Sequence, residues 1–541
     1  MKRILLVLTA LVAALSASAQ IQFGEKGGYM TIGLESNNIL YVDDAKLGKA
    51  NNRFGSNDYL KIDYVKGRFS VGVQGEAYLP ALQGYDDLRN NGYDKPKVML
   101  ASKYIQWQDA NYSVMVGDVY DQFGNGLIFR SFEDRQLGVN NSIEGGRVTA
   151  TFGNVVSVKA LFGRPRLYSS ANGYSAGWIG SQYARSTVGG ADLSVSLSDI
   201  IGSEELMMSV EGSYLNRRER LDRDPEETFE EDGLDSPNLN LYSGRLNLEY
   251  KGLSLRGEYA GKGKDLYSRL ANSADKGSAI LAELGYNIRH LSISTQIRRL
   301  DKMATPLSLY GKSDLITNSL NYLPALTRQH TYMLATLNPY KLNSRGEFDA
   351  QADIYYTLRS KKSRQRYWNF HANYSTAYSL KKYSANKKAK FQWWDINADI
   401  ERQWNKNWKT TIFYSNQRRN EGNVDIYMSN IFVADILYKI NKKFSLRAEA
   451  QYLLSNDPEG DWVAGLVEFN FAPHWSVFFS DMYNHGKTKV NYYNGGFSFT
   501  HNRTRVQVSY GRNREGFICS GGVCRKQPAY TGVNLMLTTS F

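Results

Sequence analysis

The sequence has no long apolar run and few cysteines or prolines. Its 541 residues include 2 cysteines and 11 prolines, and no stretch of 18 apolar residues follows residue 20. A membrane-spanning helix needs about 20 mostly apolar residues, and small disulfide-stabilised scaffolds are dense in cysteine. The mature chain is therefore neither a helical membrane protein nor a small disulfide-stabilised scaffold. The mean hydropathy of −0.47 fits a soluble protein or a chain that distributes its apolar residues one at a time.

Histidine is also scarce, and the six histidines are scattered. No two of them have the spacing of metal ligands, so a histidine-built metal site is not expected. The run Gly173-Tyr174-Ser175-Ala176-Gly177 matches the nucleophile elbow of hydrolases, but it lies in a predicted loop and not at a strand-to-helix turn. We therefore expect no catalytic activity, no cofactor and no metal.

The first residues predict export. Met1-Lys2-Arg3 is basic, residues 4–15 are almost wholly apolar, and Ser16-Ala17-Ser18-Ala19 is a small-residue cleavage site. This order is that of a secretory signal peptide. We expect residues 1–19 to be removed by cleavage after Ala19, which leaves residues 20–541 as the mature domain.

Much of the mature chain alternates apolar and polar residues. In residues 444–452, apolar side chains occupy every second position from Phe444 to Tyr452, and Ser, Arg, Glu and Gln lie between them. Residues 71–79 and 394–404 show the same period of two, which is typical of a β-strand with one apolar face and one polar face. Charges at every second position need water on that face. In a large membrane barrel, the water-filled lumen hydrates the polar face and lipid contacts the apolar face.

The end of the chain fits the same class. Val533, Leu535, Leu537 and Phe541 fall on one face of a predicted strand. A strand that ends on an aromatic residue resembles the signal read by the barrel-assembly machinery. The 38 Tyr and 9 Trp suit the two membrane–water interfaces of such a barrel.

The predicted turns give a strand count. Eleven short and twelve longer connections interleave strictly along the sequence, and together they join 24 strands, with 22 to 26 as the range. An even count with both ends on the short-turn side is typical of bacterial outer-membrane barrels. The fold prediction is a single large antiparallel transmembrane β-barrel. A receptor with an N-terminal plug domain is disfavoured, because the first hundred mature residues already predict strands.

A barrel of this size encloses more space than its side chains fill. Two segments are candidates to occupy it, the first insertion (residues 120–135) and the second insertion (residues 303–345). Both mix aromatic residues with residues that pair charges, so they either fold inward as a constriction or form compact outer loops. Arg328, His330 and Tyr332 could bind an anion or gate the pore. The candidate lumen or gate residues are Tyr120, Asp121, Gln122, Phe123, Arg130, Glu133, Asp134, Arg135, Asn321, Tyr322, Arg328, His330 and Tyr332.

The two cysteines, Cys519 and Cys524, lie in the last long loop. In an exported protein two close cysteines predict a disulfide, with a modest gain on the order of 2 kcal/mol for so short a loop. It would stiffen a surface hairpin. A metal site and a redox motif are the disfavoured alternatives, because no histidine is near and four residues separate the cysteines.

The net charge is +13. For an exported chain we expect lipopolysaccharide and outer-membrane lipids to be the partners of this charge, and not nucleic acid. The barrel-assembly machinery is a further expected partner during biogenesis, and a small solute or an unknown protein could bind.

Three segments carry a resemblance to a family. They are Gly117–Gly124 with Arg130 and Glu133-Asp134, Asn321–Leu326 with Gln329–Tyr332, and Cys519–Arg525. Together they resemble a family of uncharacterised Bacteroidota outer-membrane β-barrel proteins, over essentially the whole mature chain. The resemblance implies the barrel fold and an outer-membrane location, and it implies no activity.

The functional prediction is a porin-like channel or transport facilitator narrowed by inward-folded loops, in the outer membrane of a Gram-negative bacterium. The alternative is a non-conducting anchor, assembly or surface-binding protein. An outer-membrane enzyme is a remote third.

Overall fold

The computed structural model describes most of the chain. The described residues are 21–23, 27–85, 94–167, 174–176 (backbone only), 182–220, 234, 236–266, 274–309, 318–360, 365–383, 390–420, 426–521 and 523–541. The predicted signal peptide lies outside them. Within the described ranges, no helix is long and apolar enough to cross a membrane.

The chain forms a closed antiparallel barrel of 24 strands, as the turn pattern predicts. Each strand pairs with the next along the sequence, and the last strand pairs with the first, from Gly33 opposite Ser540 to Val42 opposite Thr531. The strands are β1 Tyr29–Val42, β2 Phe54–Lys66, β3 Phe69–Tyr78, β4 Lys97–Gln108, β5 Tyr112–Val119, β6 Ile143–Phe152, β7 Val156–Pro165, β8 Ser186–Ser196, β9 Leu206–Glu219, β10 Asn238–Tyr250, β11 Leu253–Asp265, β12 Asp275–Ile288, β13 Leu291–Asp301, β14 Gly346–Arg359, β15 Tyr367–Ser379, β16 Phe391–Gln403, β17 Trp408–Asn420, β18 Ile426–Lys439, β19 Phe444–Ser455, β20 Trp462–Phe471, β21 Trp475–Asn484, β22 Asn491–His501, β23 Thr504–Asn513 and β24 Tyr530–Ser540.

The two ends of the barrel differ in their connections. Eleven short connections lie at one end and twelve mostly longer ones at the other, so the barrel has a short-turn end and a long-loop end. Tight turns at the short-turn end place Gly67 at φ 57° and Gly153 at φ 59°, a backbone region that glycine enters without a steric cost. Both β1 and β24 have their free ends at the short-turn end.

Side-chain burial separates the two faces of the wall. In β16, Ile396 and Ile400 point outward and are each 42% exposed, whereas Asn397 between them points inward and is 1% exposed. The same inversion, with apolar residues exposed and polar residues buried, runs round the barrel. Such a surface is unfavourable in water and is the one that a bilayer stabilises.

The last strand places its apolar residues as predicted. Val533 lies opposite the outward-facing Leu40, and Leu535 and Leu537 share its face. The terminal Phe541 exchanges two backbone hydrogen bonds with Ile32, of 2.8 and 3.0 Å, which extends the closing seam to the final residue.

The remaining elements are short and lie in the connections. Tyr174–Ala176, the described part of the run that matches the nucleophile-elbow pattern, is a strand; Gly173 and Gly177 lie outside the described residues. The short elements are the strand Ile21–Gln22, the paired strands Gln122–Phe123 with Phe129–Arg130, Glu133–Asp134 with Val139–Asn140, Tyr174–Ala176 with Gln182–Ala184 and Gly516–Ser520 with Val523–Gln527, the α-helix Leu197–Ile201, and the 3₁₀ turns Leu334–Thr336 and Lys381–Tyr383.

Candidate functional site: the occluded lumen

The lumen is polar and open toward the short-turn end. Lys61 and Arg256 point inward near that end, and about half of each side chain is exposed, at 48% and 52%. Charged residues on the inner wall keep their hydration here, as the alternation requires. Toward the long-loop end the inward positions are covered by segments of the chain itself.

The first insertion lies inside the barrel. Asp121 accepts from Arg147 of β6 at 3.4 Å and from Lys159 of β7 at 3.0 Å, and both cations belong to the inner wall. The backbone N–H of Asn125 donates to Glu258 of β11 at 3.1 Å. These contacts span strands from β6 to β11, so the segment crosses the lumen and does not lie above it.

An apolar cluster holds the first insertion against the wall. Phe123, Leu127, Ile128 and Phe129 are at most 3% exposed. They pack on inward-facing apolar residues that interrupt the polar inner face. These wall residues are Ile143, Leu161, Val188, Leu215, Leu239, Leu241, Ala260, Ala279, Leu281 and Leu300.

The rest of the first insertion pairs with β1 and β3. Arg135 forms an ion pair with Glu35 of β1 at 2.7 Å and with Glu133 at 3.2 Å. Gln74 of β3 donates to Glu133 at 2.6 Å. Two further candidates make contacts close in sequence, since Tyr120 donates to Asn140 at 3.0 Å and Asp134 accepts from the Leu137 N–H at 2.9 Å.

The two insertions pack against each other. The Asn321 side chain donates to the carbonyl of Leu127 at 2.9 Å, and the Tyr322 N–H donates to the carbonyl of Gly126 at 2.9 Å. The Arg130 guanidinium lies 3.8 Å from the centre of the Tyr322 ring, within the range of a cation–π contact. Together the two insertions form one body, which we call the plug.

Arg328, His330 and Tyr332 meet a different wall. Arg328 donates to Asp399 at 2.7 Å and to Asn397 at 2.5 Å, and His330 Nε2 lies 2.5 Å from Asp395. All three partners are inward positions of β16. Tyr332 packs on Phe413 of β17, with ring centres 5.2 Å apart. The structure thus divides the predicted site residues into one group near β1, β3 and β6–β11 and another on β16–β17.

A wedge of apolar residues follows this second group. Leu334 and Leu337 of the second insertion are 1% and 8% exposed, and the Gln417 side chain donates to the carbonyl of Ala335 at 3.0 Å. The wedge covers inward-facing apolar residues on four adjacent strands, which are Phe413, Ile431, Val433, Leu453, Trp462 and Ala464.

Buried ion pairs of the inner wall were not predicted. Arg166, the residue that follows β7, donates to Glu76 of β3 at 2.9 Å, and both side chains are at most 2% exposed, although β3 and β7 are not adjacent. Arg217 with Asp265 and Arg298 with Asp349 are similarly buried pairs, each at 2.8 Å. The sequence shows these residues as ordinary charges of strands or, for Arg166, of a connection, and only the distant partners identify the pairs.

The disulfide joins Cys519 and Cys524, as predicted. The disulfide hairpin (residues 516–527) lies against the plug. Tyr322 donates to the carbonyl of Gly521, and Arg525 donates to the carbonyls of Gln136 at 3.2 Å and Gly84 at 2.5 Å. The hairpin therefore contacts both the second insertion and the chain that follows the first.

Two cavities lie beside the described part of the plug. The outer cavity, of about 580 Å³, lies between the wall formed by β24, β1 and β2, the disulfide hairpin and the second insertion. A second cavity of about 270 Å³ lies next to Arg328 and His330. Both cavities are lined by Gln136, Thr336, Phe517 and Ile518, so they adjoin each other.

A match to a family profile identifies the family of this chain. The profile of the "Family of unknown function (DUF6029)" matches residues 1–541. The chain belongs to this family. The expected membership of an uncharacterised family is confirmed, and the family description adds no activity. No curated protein matches the chain.

The chain resembles solved outer-membrane structures at low sequence identity and low TM-scores. The P pilus usher (PapC) translocation pore has 9% identity and a TM-score of 0.42, over 94% of this chain and 99% of that one. The siderophore receptor PirA from Pseudomonas aeruginosa has 9% identity and a TM-score of 0.43, over 95% and 80%. Pseudomonas aeruginosa OccK9 (OpdG) has 10% identity and a TM-score of 0.36, over 95% and 97%. At these values none of the three indicates a cargo for this chain.

Proposed function

We propose that this protein is a porin-like channel or transport facilitator of the outer membrane, whose lumen is closed toward the long-loop end by its own plug. One observation carries the proposal: a polar, water-exposed lumen leads from the short-turn end to a plug with adjoining cavities at its edge. A barrel of this size has a lumen in any case, but one that served only as an anchor would need no cavities beside the plug that the lumen reaches. The proposal includes no catalytic step.

The proposed location follows from the outward surface. Apolar side chains such as Ile412 and Phe479 are 58% and 56% exposed, which suits contact with lipid tails. We place the short-turn end in the periplasm and the long-loop end outside, the orientation that bacterial barrels share. Lipopolysaccharide, outer-membrane lipids and the barrel-assembly machinery are the partners that this location implies.

A non-conducting anchor is the second candidate function. It is favoured by the way in which the plug is held, with apolar clusters on both walls and ion pairs such as Arg328–Asp399. If the plug had to move for each transported solute, we would expect fewer apolar contacts and ion pairs between the plug and at least one wall. Conductance separates the two functions.

The test is single-channel conductance of the purified full-length protein in planar lipid bilayers. Leu334→Asp places a carboxylate in the apolar wedge, where burial of an unpaired charge is unfavourable, so the second insertion should leave the wall. We expect small or intermittent conductance for the wild type and a larger, steadier conductance for Leu334→Asp. Replacing residues 303–345 with a short glycine–serine turn should raise conductance further.

The matched control is Thr331→Asp, which adds the same charge to an exposed position of the same insertion that lines neither cavity. It should leave the wild-type trace unchanged. If neither the wild type, Leu334→Asp nor the deletion conducts, the transport function is wrong and the anchor is favoured.

A further inference from the structure

Three cations surround one tyrosine ring at the long-loop end of the wall. The charged groups of Lys302, Arg345 and Lys382 lie 5.4, 4.8 and 5.0 Å from the centre of the Tyr383 ring. All three distances are within the range of a cation–π contact. The ring attracts each cation, but the three positive charges repel one another at this spacing, so an added anion would stabilise the group.

A fourth cation joins them through a shared carboxylate. Asp301, the last residue of β13, pairs with Arg299 at 3.0 Å and with Lys382 at 2.6 Å. It also accepts a hydrogen bond from the Tyr383 hydroxyl. Because Arg298 points into the lumen, Arg299 points outward, and so does Asp301 two positions further on. We call the four cations the basic cluster, which comprises Arg299, Lys302, Arg345 and Lys382.

The basic cluster is only partly neutralised. Asp301 is the shared partner of two of its cations, and Asp275 of β12 pairs with Lys302. Arg345 is exposed and forms no ion pair within the described part of the chain. Two carboxylates thus pair with four cations, and the remaining positive charge attracts an anion.

Apolar side chains lie directly beside the basic cluster on the outward face. In the sheet, Arg299 is opposite Ile280 of β12 on one side and Phe348 of β14 on the other, and Ile297 is the next outward residue of β13. These three apolar side chains are 46%, 41% and 43% exposed. An arginine stem lies along such a surface while its guanidinium reaches water. The basic cluster therefore marks the edge of the apolar band, where the headgroups of a lipid leaflet begin.

The ligand that fits this surface has an anionic headgroup and apolar chains. Guanidinium and ammonium groups bind phosphate oxygens through charge-assisted hydrogen bonds, and a phosphate monoester carries a charge of about −1.5 to −2 at neutral pH. That charge matches the excess of cations over carboxylates in the basic cluster.

We infer that the basic cluster binds the phosphate monoester of an outer-leaflet glycolipid, whose acyl chains pack on Ile280, Ile297 and Phe348. The inference rests on the proposed function for its orientation, in which the long-loop end is outside. It deepens that proposal by naming the residues that meet the lipid and the group that they bind. Binding in detergent needs no conductance, so failure of this inference is distinguishable from failure of the transport function.

The experiment measures lipid binding by native mass spectrometry of the full-length protein, refolded into an amine-oxide detergent so that no cellular lipid is carried over. The probes are bisphosphorylated lipid A, the same lipid A after removal of both phosphates, phosphatidylglycerol and inorganic phosphate. We expect saturable binding of phosphorylated lipid A. Its affinity should exceed that of the dephosphorylated lipid and of phosphatidylglycerol by about tenfold, because only it carries a phosphate monoester.

The test variant is Arg345→Gln/Lys382→Gln, which removes two of the four cations and should weaken binding of phosphorylated lipid A about tenfold. Arg345→Lys/Lys382→Arg keeps both charges and should retain most of the affinity, which separates the effect of charge from that of local structure. The matched control is Lys442→Gln/Lys443→Gln, which removes two exposed cations from a turn at the short-turn end. It should leave the affinity unchanged, and mobility on unheated gels checks that all variants fold.

Four outcomes overturn the inference. The first is no saturable binding of phosphorylated lipid A, and the second is an equal affinity for dephosphorylated lipid A or phosphatidylglycerol. The third is wild-type affinity in folded Arg345→Gln/Lys382→Gln. The fourth is displacement of the lipid by an equimolar amount of inorganic phosphate, which would assign the basic cluster to free phosphate.

Discussion

At the scale of single residues, the unusual feature is the number of charges buried in pairs on the inner wall. Arg166 and Glu76 are nearly inaccessible, yet the lumen below them is wet. Burial removes their hydration, and only the close partner and further hydrogen bonds compensate for that loss. Such pairs fix one arrangement of the wall and plug, because removal of either partner leaves an uncompensated charge.

We predict that Arg166→Met lowers the free energy of unfolding by about 3–5 kcal/mol, since it leaves the Glu76 carboxylate buried without its cation. Urea unfolding in lipid vesicles, followed by tryptophan fluorescence, measures the change. Arg53→Met is the control, because the Arg53–Asp43 pair is exposed and should contribute less than about 1 kcal/mol. Equal losses in the two variants would contradict the role of burial.

Asp44 gives a prediction for pH. It lies in the connection after β1. Burial alone would raise its pKa, but bonds from Arg512, from the Lys46 N–H and from Thr531 lower it to about 2. A carboxyl with a lowered pKa stabilises the folded state fully above about pH 4, its unfolded value, and loses this contribution as the pH falls through about 2.

The contribution amounts to at most about 2 kcal/mol. We therefore expect the stability difference between the wild type and Asp44→Asn to be constant above pH 5 and to shrink between pH 4 and pH 2. Unfolding midpoints across this range measure it. A difference that does not change with pH would show that the Asp44 carboxylate is not held in its ionised form.

At the scale of elements, the disulfide hairpin is more than a stiffened surface loop. Its tip accepts from Tyr322 of the second insertion, and Arg525 contacts the backbone after the first insertion. The hairpin thus joins both parts of the plug to the seam between β24 and β1. A short cross-linked loop gains about 2 kcal/mol or less from the disulfide, so the barrel should not depend on it.

We predict that a dithiol reductant leaves the thermal unfolding of the barrel nearly unchanged but increases the frequency of conductance openings, because the hairpin loses its fixed turn beside Tyr322. Bilayer recordings before and after reduction measure this. The double variant Cys519→Ser/Cys524→Ser should show the reduced behaviour from the start and should not respond to the reductant. A reductant effect of equal size in that variant would assign the change to something other than the disulfide.

At the scale of the whole molecule, the barrel is defined by its reversed surface. Most outward positions are apolar, with a polar patch of Ser36, Asn38, Ser56 and Asp58 on β1 and β2 as an exception, and most inward positions are polar except where the plug covers them. Of two adjacent residues in one strand, one must therefore suit water and the other must suit lipid. Thr411 of β17 faces the lumen, whereas its neighbour Ile412 faces outward and is 58% exposed.

We predict that Ile412→Arg destabilises the folded barrel in lipid by about 2–4 kcal/mol, because the charge would lie in the hydrocarbon layer. Thr411→Arg, its neighbour on the wet face, should cost less than about 1 kcal/mol. Folding yield into lipid vesicles and urea midpoints compare the two. Similar losses would indicate that the outward surface does not contact lipid.

The sequence by itself determined the barrel. The period of two is a local property of a strand, so alternation in segments such as 394–404 predicts which side chains face outward. The strict interleaving of short and long connections predicts 24 strands without knowledge of any distant contact. Two close cysteines in one loop were also sufficient to predict their disulfide.

Only the tertiary structure decided what fills the barrel. Arg328 and Asp399 are 71 residues apart and Tyr322 and Gly521 are 199 apart, and no local pattern pairs them. A signal for the plug existed in runs such as Ile431-Phe432-Val433, where both faces are apolar, since an inward Ile431 or Val433 needs a cover. That signal shows that something covers the wall but not which segment does. The choice depends on the fit between surfaces that meet only after the barrel has closed.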